Sequence, residues 1–169
     1  MSGIENNAEM RVLFVCLGNI CRSPTAEGIM RRRLDAAGLA ERVVVDSAGT
    51  GPWHVGEPPD RRAMAAAAAR GYDLSRLRGR QVSPVDLAAF DYVIAMDESN
   101  LADLRAMADG RRELLERIAL LGDFSAEYRG QPVGDPYYGG AGGFDRVLNM
   151  IETCIEGLIV DISGRLVAR

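Results

Sequence analysis

The chain has 169 residues, 47% of them apolar, and a net charge of -4, which is the size and composition of one compact domain with a real core. No run of about 18 apolar residues is present to span a bilayer, so membrane insertion is not expected. The positive charge is carried wholly by arginine, and an acidic domain of this kind is poorly suited to tracking a nucleic-acid backbone.

Residues 1–10 are polar and acidic and lack the basic start and apolar stretch of a secretory signal; they are expected to form a flexible N-terminal segment, with the cytoplasm as the default location. Residues 11–169 show no linker and no internal repeat, which predicts a single domain. Residues 11–16 are rich in β-formers and read as a buried strand. Ser23 and Pro24 then suit a helix start as cap and first-turn proline, and Gly38 ends that helix. Arg31, Arg32 and Arg33 read as its solvated side. Residues 42–46 form a second predicted strand, and 49–59, rich in Gly and Pro, a loop. The alanine-rich run 61–70 reads as a helix stopped by Gly71. A third strand is predicted over 92–96, a helix over 97–108 and a fourth strand over 117–121. Residues 123–143 read as a long loop, a length that points to function. From Phe144 to Leu166 apolar residues recur at helical spacing, with Cys154 an inert core residue on or beside that face.

Strands alternating with helices predict an α/β fold: a four-stranded parallel sheet with helices on both faces and ligands at the C-terminal strand ends. Three cysteines make no disulfide framework, and His54, the single histidine, leaves too few soft ligands for a His/Cys metal site. Metal-independent chemistry without a cofactor is therefore expected.

The segment after the first strand, Cys16, Leu17, Gly18, Asn19, Ile20, Cys21, Arg22 and Ser23, has the chemistry of a phosphate-binding loop. Its backbone N–H groups and the following helix N-terminus make an anion site. Gly18 and Asn19 tolerate the backbone angles of such a cradle. The field that binds phosphate also favours a thiolate, which makes Cys16 the nucleophile. Arg22 offers a planar fork for two phosphate oxygens, and Ser23 a hydroxyl for the thiolate. The Gly-Lys-Ser/Thr ending of a nucleotide loop is missing.

Residues 15–24 with Ala26 and Glu27, the segment 46–50, Trp53 to Gly56, and Asp135 to Tyr138 together resemble the low-molecular-weight protein tyrosine phosphatases, bacterial members most. The resemblance implies that Cys16 forms a cysteinyl-phosphate and that Asp135 is general acid and then base. It implies that Asn19 and Ser47 support the loop, and that Trp53, His54, Tyr137 and Tyr138 line a substrate slot, the two tyrosines also being phosphorylation sites. It implies a redox pair of Cys16 and Cys21. Many members carry a histidine where this chain has Arg70, so the histidine link from Ser23 is expected to be absent or replaced. The implied partners are phosphotyrosine-containing proteins, a bacterial tyrosine kinase among the candidates, acted on by a monomer or weak dimer.

Alternatives on the same fold are a protein arginine phosphatase, where a threonine tends to replace Ile20, and an arsenate reductase, which needs cysteines that residues 22–153 lack. A non-catalytic phosphotyrosine-binding module would be missing Cys16 or Asp135, and both are present.

Overall fold

The computed structural model describes residues 8–138 and 142–168. Four parallel strands, β1 (Met10–Cys16), β2 (Val43–Gly49), β3 (Tyr92–Ala95) and β4 (Ile118–Leu120), lie in the order β2-β1-β3-β4. The helices are α1 (Arg22–Ala36), α2 (Arg61–Ala69), α3 (Pro84–Ala89), α4 (Glu98–Ala108), α5 (Arg112–Leu115) and α6 (Gly143–Val167).

Alternation along β1 sorts the core. Val12, Phe14 and Cys16 point to one face with Tyr92 and Ile94, where α1 and α6 supply Ile29, Met30, Ile151 and Leu158. Leu13 and Val15 point to the other with Val93 and Ala95, where α3, α4 and α5 supply Leu87, Leu101, Leu104 and Leu114. Both faces of the sheet are thus covered, as a parallel sheet requires. Cys154 is fully buried on the inner side of α6. Among the described residues no helix is long and apolar enough to cross a membrane.

The element limits differ from the sequence expectation in instructive places. Helix α1 is capped at Cys21, not at Ser23. Ser23 sits in the first turn with its hydroxyl drawn inward to Cys16 and Asn19, and Pro24 occupies a first-turn position that needs no N–H. Helices α3 and α5 were not anticipated; both are short, although Ser83 and Asp86 form a capping box at the start of α3. Asp97 is the cap of α4 rather than its first residue. The loop expected over 123–143 begins inside a 3-10 turn (Leu121–Phe124), and a second one covers Pro136–Tyr138. Of the arginine cluster, Arg31 reaches Glu27 and the Val45 carbonyl, and Arg33 reaches Glu152 on α6. That face of α1 is exposed but also ties the helix to its neighbours.

Helix α6 crosses the first 3-10 turn at Gly157, where an added Cβ would lie 1.8 Å from the Phe124 carbonyl oxygen. Gly157→Ala is therefore expected to destabilise the protein by about 1–3 kcal/mol despite alanine's better helix propensity. Gly164→Ala, on the same helix with nothing within 4 Å, should instead stabilise it by up to about 1 kcal/mol. Urea unfolding midpoints of the two variants check both signs.

Candidate active site

The C-terminal end of β1 runs directly into α1, and the turn between them folds around an open centre. Its carbonyls are occupied from outside. Thr50 N–H donates to the Cys16 carbonyl at 2.9 Å, Gly51 N–H to Leu17 at 2.9 Å, and Asp60 N–H to Ile20 at 2.8 Å. Because these peptides are trans, the opposite edges of their planes turn the N–H groups of Leu17, Gly18 and Cys21 inward. Gly49 ends β2 close against this turn; a Cβ there would lie 2.7 Å from the Leu17 carbonyl oxygen.

Asn19 holds the shape. Its φ of 57° is left-handed, a region asparagine enters more readily than most side chains. Its side chain is engaged at both ends: Nδ2 donates to Ser23 Oγ at 2.8 Å and to Ser47 Oγ at 3.0 Å, and Oδ1 accepts Arg80 N–H at 3.0 Å. Because Ser23 Oγ accepts from Asn19, its proton is available to Cys16 Sγ at 3.0 Å, closer than the Ala48 carbonyl at 3.4 Å. Ser47 in turn donates to buried Glu27 at 2.7 Å. Burial pushes the Glu27 carboxyl above its ordinary pKa, and Arg31 and Ser47 only partly offset this.

Arg70 has no part in this network. It lies at the C-cap of α2, against α6, and donates to Asn149 at 2.8 Å and to Glu152. Arg70 does not stand in for the histidine link: Ser23 is fully buried at the strand end, and its hydroxyl meets Cys16, Asn19 and the Ala48 carbonyl instead.

Arg22 is buried with 2% exposure. Nη1 donates to Asp97 Oδ2 at 2.6 Å and to the Val133 carbonyl at 3.0 Å, and Nη2 lies 3.5 Å from Asp135 Oδ2. Burial works against its charge, but Cys16, Asp97 and Asp135 outweigh it and raise its pKa above the ordinary arginine value. Nη1 is thus spent on positioning, and Nε and Nη2 form the edge that can grip an anion. Asp97 was missed in the sequence as a site residue. Its only local signal is the capping pattern with Asn100, which says nothing of Arg22.

Cys16, Leu17, Gly18, Ile20, Cys21, Arg22, Trp53, His54, Asp135 and Tyr137 line one cleft of about 270 Å³. Each of these is a residue the sequence singles out, and Asn19, Ser23 and Ser47 hold the phosphate loop through their side chains. Tyr138 is placed as backbone in the second 3-10 turn, and its side chain lies outside the described residues. Trp53 stands 66% exposed at the rim. Behind the cleft wall that they help to form, Ile20 and Cys21 pack with Ala63 and Phe144. Burial, together with Asp60, Cys16 and Asp135, pushes the Cys21 thiol up to about 12.

A family model described as low molecular weight phosphotyrosine protein phosphatase matches residues 11–167. A low molecular weight protein-tyrosine-phosphatase of Streptomyces coelicolor is 41% identical, over 94% of this chain and 97% of its own. The crystal structure of YfkJ from Bacillus subtilis superposes with a TM-score of 0.88 at 40% identity, covering 94% and 97% of the two chains. An arginine phosphatase of Drosophila superposes with a TM-score of 0.83 at 35% identity, covering 90% and 98%. By the extent of the family match and its agreement with the phosphate-loop geometry, the chain belongs to the low molecular weight phosphotyrosine protein phosphatase family.

Proposed function

We propose that the chain hydrolyses phosphotyrosine in proteins through a cysteinyl-phosphate, without a metal or cofactor. The observation that carries this reading is the convergence of Cys16, Arg22 and Asp135 on one cleft. Cys16 Sγ attacks phosphorus in line, the S–P bond forms, and the ester P–O bond breaks. Arg22 and the inward N–H groups hold the three equatorial oxygens, where charge gathers. Asp135 gives its proton to the departing phenolate oxygen. The resulting carboxylate then takes a proton from water as that water breaks the S–P bond, so one group serves both steps. As Cys16 leaves phosphorus, the Ser23 hydroxyl at 3.0 Å stabilises the sulfur that carries the charge.

Trp53 and Tyr137 offer ring faces for an aryl group. Ile20 puts an aliphatic side chain in the cleft, which suits an aryl group and offers nothing to the polar guanidine of phosphoarginine. In this reading residues 11–169 form a single phosphatase domain; residues 1–7 of the expected N-terminal segment lie outside the described residues, and Met10 at its end opens β1. The enzyme works in the cytoplasm as a monomer or weak dimer, with a tyrosine kinase among its phosphoprotein substrates.

The reading predicts turnover of p-nitrophenyl phosphate in EDTA, reduced about 10³-fold or more in Cys16→Ser; near-normal activity of that variant would rule out the mechanism. Phosphotyrosine and phosphoarginine peptides assayed side by side should differ in kcat/KM by about 10-fold or more in favour of phosphotyrosine.

Cys21 shares the cleft with Cys16, and we assign it as the thiol that resolves oxidised Cys16. Peroxide converts Cys16 to the sulfenic acid; attack by Cys21 sulfur then forms the disulfide and releases water. Peroxide inactivation should be reversed by dithiothreitol in the native enzyme and become irreversible in Cys21→Ser. Because the Cys21 thiol is pushed up to about 12, its thiolate fraction grows with pH. Disulfide closure should therefore accelerate by close to tenfold per pH unit between about 7 and 9, measured by quenched thiol labelling after a peroxide pulse.

A further inference from the structure

We infer that Arg62 is a positioning residue for the general acid, a tether that fixes the Asp135 segment to the phosphate loop. The inference rests on the assignment of Asp135 proposed above.

The tether is a continuous path of hydrogen bonds. The Ile20 carbonyl of the phosphate loop accepts Asp60 N–H at 2.8 Å. The Asp60 carboxylate caps α2, accepting the N–H of Arg62 at 2.8 Å and of Ala63 at 3.3 Å. It also faces the Arg62 guanidinium, Oδ1 to Nε and Oδ2 to Nη2, each at 3.2 Å. Nη2 of Arg62 then donates to the Tyr137 carbonyl at 3.0 Å. Tyr137 N–H in turn donates to Asp135 Oδ1 at 3.0 Å.

Stacking reinforces the crossing point. The Arg62 guanidinium lies over the Tyr137 ring at 5.4 Å and over the Phe144 ring at 5.1 Å from the centroids. A planar fork can meet a carboxylate edge-on, donate to a carbonyl and present its face to two rings together; an ammonium cannot. Asp60 stays ionised for this pairing: burial opposes its charge, but Arg62 and the helix N–H groups outweigh it and lower its pKa.

The consequence for Asp135 is orientation. With Oδ1 held by Tyr137 N–H, Oδ2 is the oxygen turned into the cleft, 3.5 Å from Arg22 Nη2, and the one left free to meet the leaving group. Proton transfer needs a heavy-atom approach of about 2.6–3.2 Å to the leaving oxygen. A carboxyl on an untethered turn would spread over orientations that miss it. The Arg62 side chain is half exposed, so its truncation leaves the core intact.

The test is the dependence of kcat/KM on leaving-group acidity, using phenyl, p-nitrophenyl and 2,4-dinitrophenyl phosphate with the native enzyme, Arg62→Met and Asp135→Asn. Phenolate needs a proton to depart and dinitrophenolate does not. Arg62→Met is expected to lose about 10-fold on phenyl phosphate and less than about twofold on 2,4-dinitrophenyl phosphate. Inhibition by inorganic phosphate should be unchanged, which reports an intact phosphate loop. A uniform loss across the series in Arg62→Met, with Asp135→Asn strongly leaving-group dependent, would overturn the tether and leave the acid assignment standing. A series equally flat for Asp135→Asn would remove the acid assignment and the tether with it.

Discussion

A guanidinium taken out of water must be answered by negative charge and filled hydrogen bonds, and the buried Arg22 imposes that condition on everything at the end of β1. Asp97, Asp135 and Cys16 answer it, and they come from three separate parts of the chain. Asp97 follows β3 by two residues, so it can reach Arg22 only because β3 lies beside β1 in the sheet. Asp135 arrives on the turn that precedes α6, and the Val133 carbonyl of the same segment also accepts from Nη1. The sheet order is thus what completes the arginine's surroundings. Since its charge is already matched by these neighbours, Arg22 contributes orientation more than net attraction. The pull on an incoming anion then falls to the inward N–H groups and the N-terminal end of α1.

The loop that provides those N–H groups depends on a residue in an unfavourable backbone region. A left-handed conformation costs a non-glycine residue on the order of 1–3 kcal/mol, less for asparagine than for most. Glycine at position 19 would relieve that cost, yet it would leave Ser23, Ser47 and the Arg80 N–H without their shared partner. Asparagine satisfies both demands with one side chain. The same bond that fixes the loop also keeps the Ser23 hydrogen for its other neighbours, since an oxygen accepting from Asn19 can donate to a Cys16 thiolate or to the Ala48 carbonyl. Loop geometry and the surroundings of the nucleophile are therefore one network.

The parts legible in the sequence were those whose signal is local. The β1 strand, the loop from Cys16 to Ser23 and the apolar face of α6 each announce themselves within a short window. The slot residues Trp53, His54 and Tyr137 were read from motif resemblance, and the fold brings them to one cleft. What escaped was pairing across the chain. Asp97 looks like a helix cap and is one; its contact with Arg22 follows from strand order, which no local pattern encodes. Arg62 gave no sign of meeting Tyr137, because the meeting depends on where α2 and the turn before α6 lie relative to each other. At Arg70 the sequence could mark the missing histidine link but not what supports Ser23 in its place, because that support comes from Asn19 while Arg70 turns to α6. The short helices α3 and α5 fell below the length at which periodicity speaks.

The two cysteines of the phosphate loop show how far environment separates identical side chains. Both line the cleft. Cys16 receives the Ser23 hydroxyl and lies in the field of Arg22. Cys21 caps α1 beneath the loop, packed with Ile20 and Ala63, and burial with Asp60, Cys16 and Asp135 holds its thiol near 12 against the weaker opposing pull of Arg62. At neutral pH it is therefore a neutral thiol. A second thiolate in the cleft would repel the anion that the N–H groups are arranged to receive, and it would compete with Cys16 for phosphorus. Keeping Cys21 protonated avoids both effects while leaving a second sulfur in the cleft that Cys16 lines. The carboxylates that raise its pKa include Asp60, which caps α2, and Asp135, which serves the leaving group, so the quiet state of one thiol is a by-product of the charges that organise the work of the other.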